Sequence, residues 1–199
     1  MPQSKIRFCL ACGLLVAVAC ATGPSSQSKQ GASGWLNLEG TRTNPLFPKA
    51  NPQALVFLMV DCPMANMYAP ELVRIEETYR KKGVAFTFVY VDSDITAERA
   101  RQHVKAYGLK GMFVLDPKHS LAEKVGASVS PEVVVLGKDA KVVYRGRIDD
   151  RVETYGKVRP EPKRHDFRLA LDEVLQGKKP KPSDTRAIGC IFRVATGSR

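Results

Sequence analysis

Leu55–Val60 (LVFLMV), followed at once by Asp61-Cys62-Pro63-Met64, decides how the rest of the chain is read. Six consecutive apolar residues without alternation predict a strand covered on both faces, as in the interior of an α/β sheet. Pro63 suits the first turn of a helix, where its missing N–H costs nothing. Cys62 therefore falls where a strand's carboxyl end meets a helix's amino end, the edge of an α/β sheet at which ligands and reactive groups gather. A Cys there faces unpaired N–H groups and the positive end of the helix dipole, which favour thiolate over thiol. A buried, inert thiol is the alternative, because free Cys often packs as a small hydrophobe.

Working outward, strand and helix patterns alternate. Trp35–Leu38 is a candidate entry strand, and the three prolines of Asn44–Pro52 mark a loop. Leu72, Ile75 and Tyr79 recur at helical spacing within Pro70–Lys82, with Gly83 as the stop. Val84–Asp92 (VAFTFVYVD) predicts a second buried strand. Ser93, Asp94 and Thr96 offer an N-cap to a helix with Ala100, Val104 and Tyr107 on one face and Gly108 at its end. Phe113–Leu115 predicts a strand, Leu121–Val125 a short helix, and Glu132–Leu136 a strand entered through Pro131. Gly137–Ala140 turns the chain into Lys141–Ile148 (KVVYRGRI), and Asp166–Gln176 forms the last helix, closed by Gly177. The order β-α-β-α-β-α-β-β-α gives an α/β fold, a central mixed β-sheet flanked by helices with a C-terminal β-hairpin and helix.

The 199 residues carry 31 Lys+Arg against 20 Asp+Glu, a formal charge of +11, with 44% hydrophobic residues. That composition excludes disordered, multi-span and disulfide-dense classes. The basic excess is dispersed (Arg80-Lys81-Lys82, Lys178-Lys179) and lacks interleaved aromatics, so no nucleic acid is expected as a partner. No phosphate-cradling Gly-rich loop or zinc-ligand spacing is found, and neither cofactor nor metal is expected.

Of five cysteines, Cys9, Cys12 and Cys20 lie in the first twenty residues. A basic start (Lys5, Arg7) precedes the apolar run Phe8–Ala21. As a helix that run reaches about 21 Å, short of a ~30 Å hydrocarbon core. This is the layout of a secretory signal peptide. Ala17-Val18-Ala19 offers a cleavage site, and small residues before Cys20 resemble a bacterial lipobox, although Ala17 stands where Leu is usual. Cys20 is thus a lipidation candidate, and both outcomes place the mature protein outside the cytoplasm, periplasmic or membrane-anchored. The chain divides into a signal peptide (1–20), a flexible tether and entry segment (21–50), a core domain (51–177) and a basic C-terminal tail (178–199) carrying Cys190.

Strand, Cys-Pro helix, alternating units, Pro-strand, hairpin and final helix together resemble the thioredoxin superfamily, in its peroxiredoxin-like redoxin branch with an AhpC/TSA-type domain. The resemblance rests on Asp61-Cys62-Pro63-Met64-Ala65-Asn66-Met67-Tyr68-Ala69-Pro70-Glu71, Pro131-Glu132-Val133, Tyr144–Arg151, Arg164-His165-Asp166 and Gly189-Cys190. It implies a thioredoxin-like fold in which Val129-Ser130-Pro131 forms a cis-proline loop against the active-site Cys. It also implies an antioxidant-type oxidoreductase that uses Cys62, with Pro63, Ser130 and Pro131 shaping the substrate groove. Its partners would be protein or small-molecule thiols and disulfides, with membrane attachment through the lipid anchor.

Departures from the family pattern matter. Where related enzymes carry CxxC, this chain has Cys62-Pro63-Met64-Ala65, and it lacks the TxxC motif of true peroxiredoxins, which weighs against peroxidase activity. Cys190 is then the candidate second thiol, either a resolving partner or half of a permanent bridge. Arg147 is a candidate to stabilise the Cys62 thiolate. Asp149-Asp150 reads as a solvated turn pair, and His165 as a helix cap. Two further readings are a copper chaperone using Cys62 with Met59, Met64, Met67 or His165, and a catalytically silent binding module.

Overall fold

The computed structural model describes residues 34–46 and 51–193. The signal-peptide reading, Cys20 and most of the tether lie outside the described residues. Among the described residues no helix is long and apolar enough to cross a membrane.

The chain runs β1 (Trp35–Asn37), β2 (Arg42–Thr43), β3 (Gln53–Leu58), α1 (Pro63–Arg80), β4 (Ala85–Tyr90), α2 (Ala97–Tyr107), β5 (Met112–Leu115), α3 (Ser120–Val125), β6 (Val129–Ser130), β7 (Glu132–Leu136), β8 (Val142–Gly146), β9 (Val152–Thr154), β10 (Lys157–Val158), α4 (Asp166–Leu175) and β11 (Cys190–Ile191). Seven strands form the main sheet in the order β2-β1-β5-β4-β3-β7-β8. β3, β4 and β5 are parallel, whereas β7 runs antiparallel to β3 and to β8. The result is the thioredoxin fold, with a central mixed sheet, flanking helices and the β7–β8 hairpin leading to α4.

Strand alternation sorts the core onto two faces. Ala54, Val56 and Leu58 of β3 join Phe86, Phe88 and Tyr90 of β4 in one cluster, completed by Leu72, Ile75 and Tyr79 of α1 and Phe167 and Leu171 of α4. Leu55 and Phe57 point the other way, to Val89, Val134, Leu121 and Val125. Every residue of β3 is buried, as an unbroken apolar run requires. Each fully buried large side chain contributes about 1.5–3 kcal/mol relative to exposure.

Local signals explain most of the boundaries. Thr96 caps α2 by accepting from the Arg99 N–H at 3.2 Å, and Gly108 ends it at φ 66°, a left-handed position that glycine adopts without steric cost. One expectation is extended and one corrected. α1 starts at Pro63, in the first turn as expected, and extends the amphipathic stretch read from Pro70 back by two turns, with Pro70 inside it. His165 occupies the N-cap position of α4 without a capping side-chain bond. That helix is instead tied down by the Phe167 N–H, which donates to the Ile148 carbonyl at 2.9 Å.

Three features lie beyond the sequence reading. β2 lengthens the sheet past β1, the expected entry strand, and Trp35 Nε1 donates to Ser120 Oγ at 2.8 Å, fastening that edge to α3. β9 and β10 form a separate hairpin. Finally, β11 from the basic tail pairs antiparallel with β6.

Candidate functional site

Cys62 is the N-cap residue of α1, with extended backbone (φ −79°, ψ 111°) and Pro63 in the first turn. Its carbonyl accepts the first helical bond from the Asn66 N–H at 3.0 Å. The turn carrying it is pinned from several sides. The Met59 N–H donates to Ser130 Oγ at 2.8 Å, and the Val60 N–H donates to both oxygens of Asp92 at 3.2 Å. Asn66 Nδ2 donates to the Val60 carbonyl at 3.0 Å, while its Oδ1 lies 2.8 Å from His103 Nε2. His103 Nδ1 in turn lies 2.9 Å from the Tyr90 hydroxyl. Burial holds His103 below its ordinary pKa, against the opposing charge of Asp61, so the neutral ring links Tyr90 to Asn66. Burial likewise raises the Asp92 pKa, although the Val60 N–H favours its charged form.

The Cys62 sulfur is only 2% exposed, and it donates to the Ser130 carbonyl at 3.1 Å. No first-turn N–H bonds its side chain. The thiol thus sits at the predicted helix terminus, with the Ser130 carbonyl as its partner. Ser130 and Pro131 are joined by a cis peptide bond. Glu132, directly after them, is fully buried and accepts from the Ser128 and Val129 N–H groups at 2.7 and 3.2 Å, shaping the loop from beneath.

Cys190 arrives from far along the chain. In the β6–β11 ladder Cys190 stands opposite Ser130, and Ile191 opposite Val129. The carbonyl of that same Ser130 accepts from the Cys62 thiol, so both cysteines border one residue. Both cysteines are free thiols. Burial first, then the nearness of Cys62, push the Cys190 thiol up to about 12. The structure thus brings Cys190 of the tail to the loop that also receives the Cys62 thiol.

Other expected residues fall elsewhere. Arg147 directs its Nε to Asp166 at 2.6 Å, and Arg164 binds the other oxygen of the same buried carboxylate, also at 2.6 Å. This ion triad locks the end of β8 to the start of α4, and among the described residues nothing pairs Arg147 with Cys62. Asp149 and Asp150 are not solvated. Asp149 is 4% exposed and accepts from the Tyr68 hydroxyl at 2.5 Å, whereas Asp150 accepts from the Lys163 and Arg164 N–H groups at 2.7 and 2.9 Å. Met59, Met64 and Met67 pack against the core. Among the described residues no cluster of three His, Cys, Asp or Glu side chains surrounds a metal-sized space. Sequence reading missed the Asn66–His103–Tyr90 relay and Tyr155, whose hydroxyl donates to the Gly189 carbonyl beside Cys190. The relay's only signal was Asn66, one turn beyond Cys62.

This chain belongs to the Redoxin family, whose model matches residues 44–159, more than half of its length. It is similar to the crystal structure of an uncharacterized conserved protein from Geobacillus kaustophilus, at 22% identity and TM-score 0.67, covering 83% of this chain and 89% of that one. A hypothetical protein from Sinorhizobium meliloti 1021 is comparable, at 25% identity and TM-score 0.69, covering 82% and 91%. A candidate thioredoxin from Neisseria meningitidis, known from a solution structure, shares the fold at 19% identity and TM-score 0.55, covering 71% and 85%. No curated protein matches the chain.

Proposed function

We propose that the protein is an exported thiol–disulfide oxidoreductase acting through Cys62, with Cys190 as the resolving thiol. The observation that carries this reading is the convergence of both cysteines on Ser130, Cys62 through its thiol and Cys190 across the ladder, from positions 128 residues apart in sequence. A redoxin domain, a cysteine at a helix N-terminus and a second cysteine within bonding reach are the parts that exchange requires.

The step balances as follows. The Cys62 thiolate attacks a substrate disulfide, forming a mixed disulfide and releasing one substrate thiolate. Cys190 then loses its proton to a leaving thiolate and attacks the Cys62 sulfur, closing a Cys62–Cys190 disulfide and releasing the second substrate thiol. Substrate is reduced by two electrons and the cysteine pair oxidised by two; an external dithiol restores the pair, and the same steps in reverse oxidise a substrate. Burial, the largest cause holding Cys190 protonated, persists when Cys62 is in the mixed disulfide, so the leaving thiolate is the base the resolving step uses.

Within the family, a single Cys in the Cys62-Pro63-Met64-Ala65 motif suits the peroxiredoxin-like AhpC/TSA-type branch in fold more than in peroxidase chemistry. The apolar run Phe8–Ala21 supports export to the periplasm or its membrane face, with Cys20 as the site of a lipid anchor. The test is oxidation of the reduced protein with diamide, followed by peptide mapping. A Cys62–Cys190 linked peptide, absent from Cys190→Ser, is expected. Failure to form it, with both thiols still alkylated, would overturn the pairing.

A further inference from the structure

Substrate access to Cys62 is closed by the chain itself. Ile188 packs beside Tyr68, Pro131, Ile148 and Val152, leaving a void of about 10 Å³, too small for any ligand. Yet the covering segment is lightly fastened. Its ladder with β6 spans two residue pairs, extended by the Phe192 and Arg193 N–H groups donating to the Ser128 carbonyl at 3.2 and 3.4 Å. Its outer face borders a cavity of about 880 Å³ rather than packed core, and the Tyr155 hydroxyl grips the Gly189 carbonyl. A segment held this way opens locally, without unfolding the sheet.

The contacts along this segment are those of an extended peptide added to a sheet edge, where main-chain bonds supply affinity and side-chain sites supply selectivity. At Gly189 a Cβ would overlap the Ser130 carbonyl oxygen and stand 2.7 Å from the Ser130 carbonyl carbon and 3.1 Å from the Pro131 nitrogen. These are backbone atoms that cannot yield, so the position accepts only glycine. Cys190 meets Cys62. Ile191 is 67% exposed and reads as an unconstrained spacer. Phe192 stacks on Phe57 (ring centroids 6.4 Å, 23°) and contacts the His119 ring (5.2 Å), so this position selects an aromatic ring.

We propose that the β6 edge beside Cys62 docks an extended protein segment of pattern glycine–cysteine–any residue–aromatic, and that Gly189-Cys190-Ile191-Phe192 occupies it as an internal competitor. This rests on the exchange chemistry assigned to Cys62 and deepens it: the substrate is a cysteine in a polypeptide strand, not a small thiol. Such a partner displaces the internal strand, pairs with Val129-Ser130 and presents its sulfur where that of Cys190 lies.

The test uses the full chain carrying Cys190→Ser, alone and with Gly189→Val, which drives the strand off its edge; Phe192→Ala serves as a second loosening variant should Gly189→Val not fold. The probes are a synthetic Ala187–Arg193 peptide activated at its cysteine as the thionitrobenzoate disulfide, its Gly189→Val and Phe192→Ala versions, and glutathione activated in the same way. Release of thionitrobenzoate is followed, and mass spectrometry locates the adduct on Cys62. Loosening the strand is expected to speed Cys62 modification about tenfold or more, and the native peptide to outpace both altered peptides and glutathione by about tenfold, as selectivity by side-chain sites demands. Equal rates for all four probes, or no acceleration on loosening, would overturn the docking pattern while leaving exchange at Cys62 standing. A Cys62 that stays inert to iodoacetamide in the loosened variants would overturn the exchange reading, and the docking pattern with it.

Discussion

The two cysteines sit in unlike settings. Cys62 belongs to a turn whose every neighbour is fixed: Asp92, Asn66 and Ser130 hold its backbone, and β3 beneath it is wholly buried. Cys190 belongs to a two-residue strand laid on the surface of that framework, with Ile191 beside it 67% exposed. One sulfur is built into the core, whereas the other is delivered to it. On the exchange reading proposed above, the difference means that the second thiol comes from outside the Cys62-Pro63-Met64-Ala65 motif. A tail needs only a free strand edge and a glycine that can approach the backbone closely.

The comparison breaks most readily at the rigid side. Asn66→Ala would strand the Val60 carbonyl and His103 Nε2 without their partner. Each buried group left unpaired costs about 1–3 kcal/mol, so denaturant unfolding is expected to show a loss of about 2–4 kcal/mol. A loss under about 0.5 kcal/mol would show that the Cys62 turn is no more firmly held than the tail.

A pH series separates the reduced from the oxidised protein. The folded state holds the Cys190 thiol up to about 12, against an ordinary value of 9.0. A thiol whose pKa is raised on folding keeps its proton longer in the native state, so the unfolded chain binds fewer protons as pH rises. Stability of the reduced protein is therefore intact below about pH 9 and falls between there and about 12. In the Cys62–Cys190 disulfide this loss is absent, and unfolding midpoints of the two forms measured against pH are expected to diverge above about pH 9. The smallest effect belongs to Tyr155→Phe, which deletes one neutral hydrogen bond worth about 0.5–1.5 kcal/mol. Hydrogen exchange is expected to quicken at residues 189–192, with β3 unchanged; equal quickening in β3 would make the tail part of the core's cooperative unit.

Legibility followed the same division. The apolar runs of β3, β4 and β7 and the helical spacing of Leu72, Ile75 and Tyr79 are long enough to speak for themselves, and they located Cys62 at its strand–helix junction. β6 and β11, at two residues each, carry no periodicity, and their pairing depends on main-chain atoms that every sequence shares. Residues 188–192 (IGCIF) are apolar within a basic tail, but nothing in their sequence says where they pack. Asp149 looked solvated because its partner, Tyr68, lies 81 residues away on α1. Arg147 looked available because Asp166 belongs to the next helix.

The bond from Trp35 to Ser120 gives the molecule a natural lamp. Trp35 is the chain's only tryptophan, and its indole is anchored one residue from His119, whose ring contacts Phe192. Departure of Phe192 is therefore felt at the very helix to which the fluorophore is fastened. Emission from the unlabelled protein should track seating and release of the tail in real time.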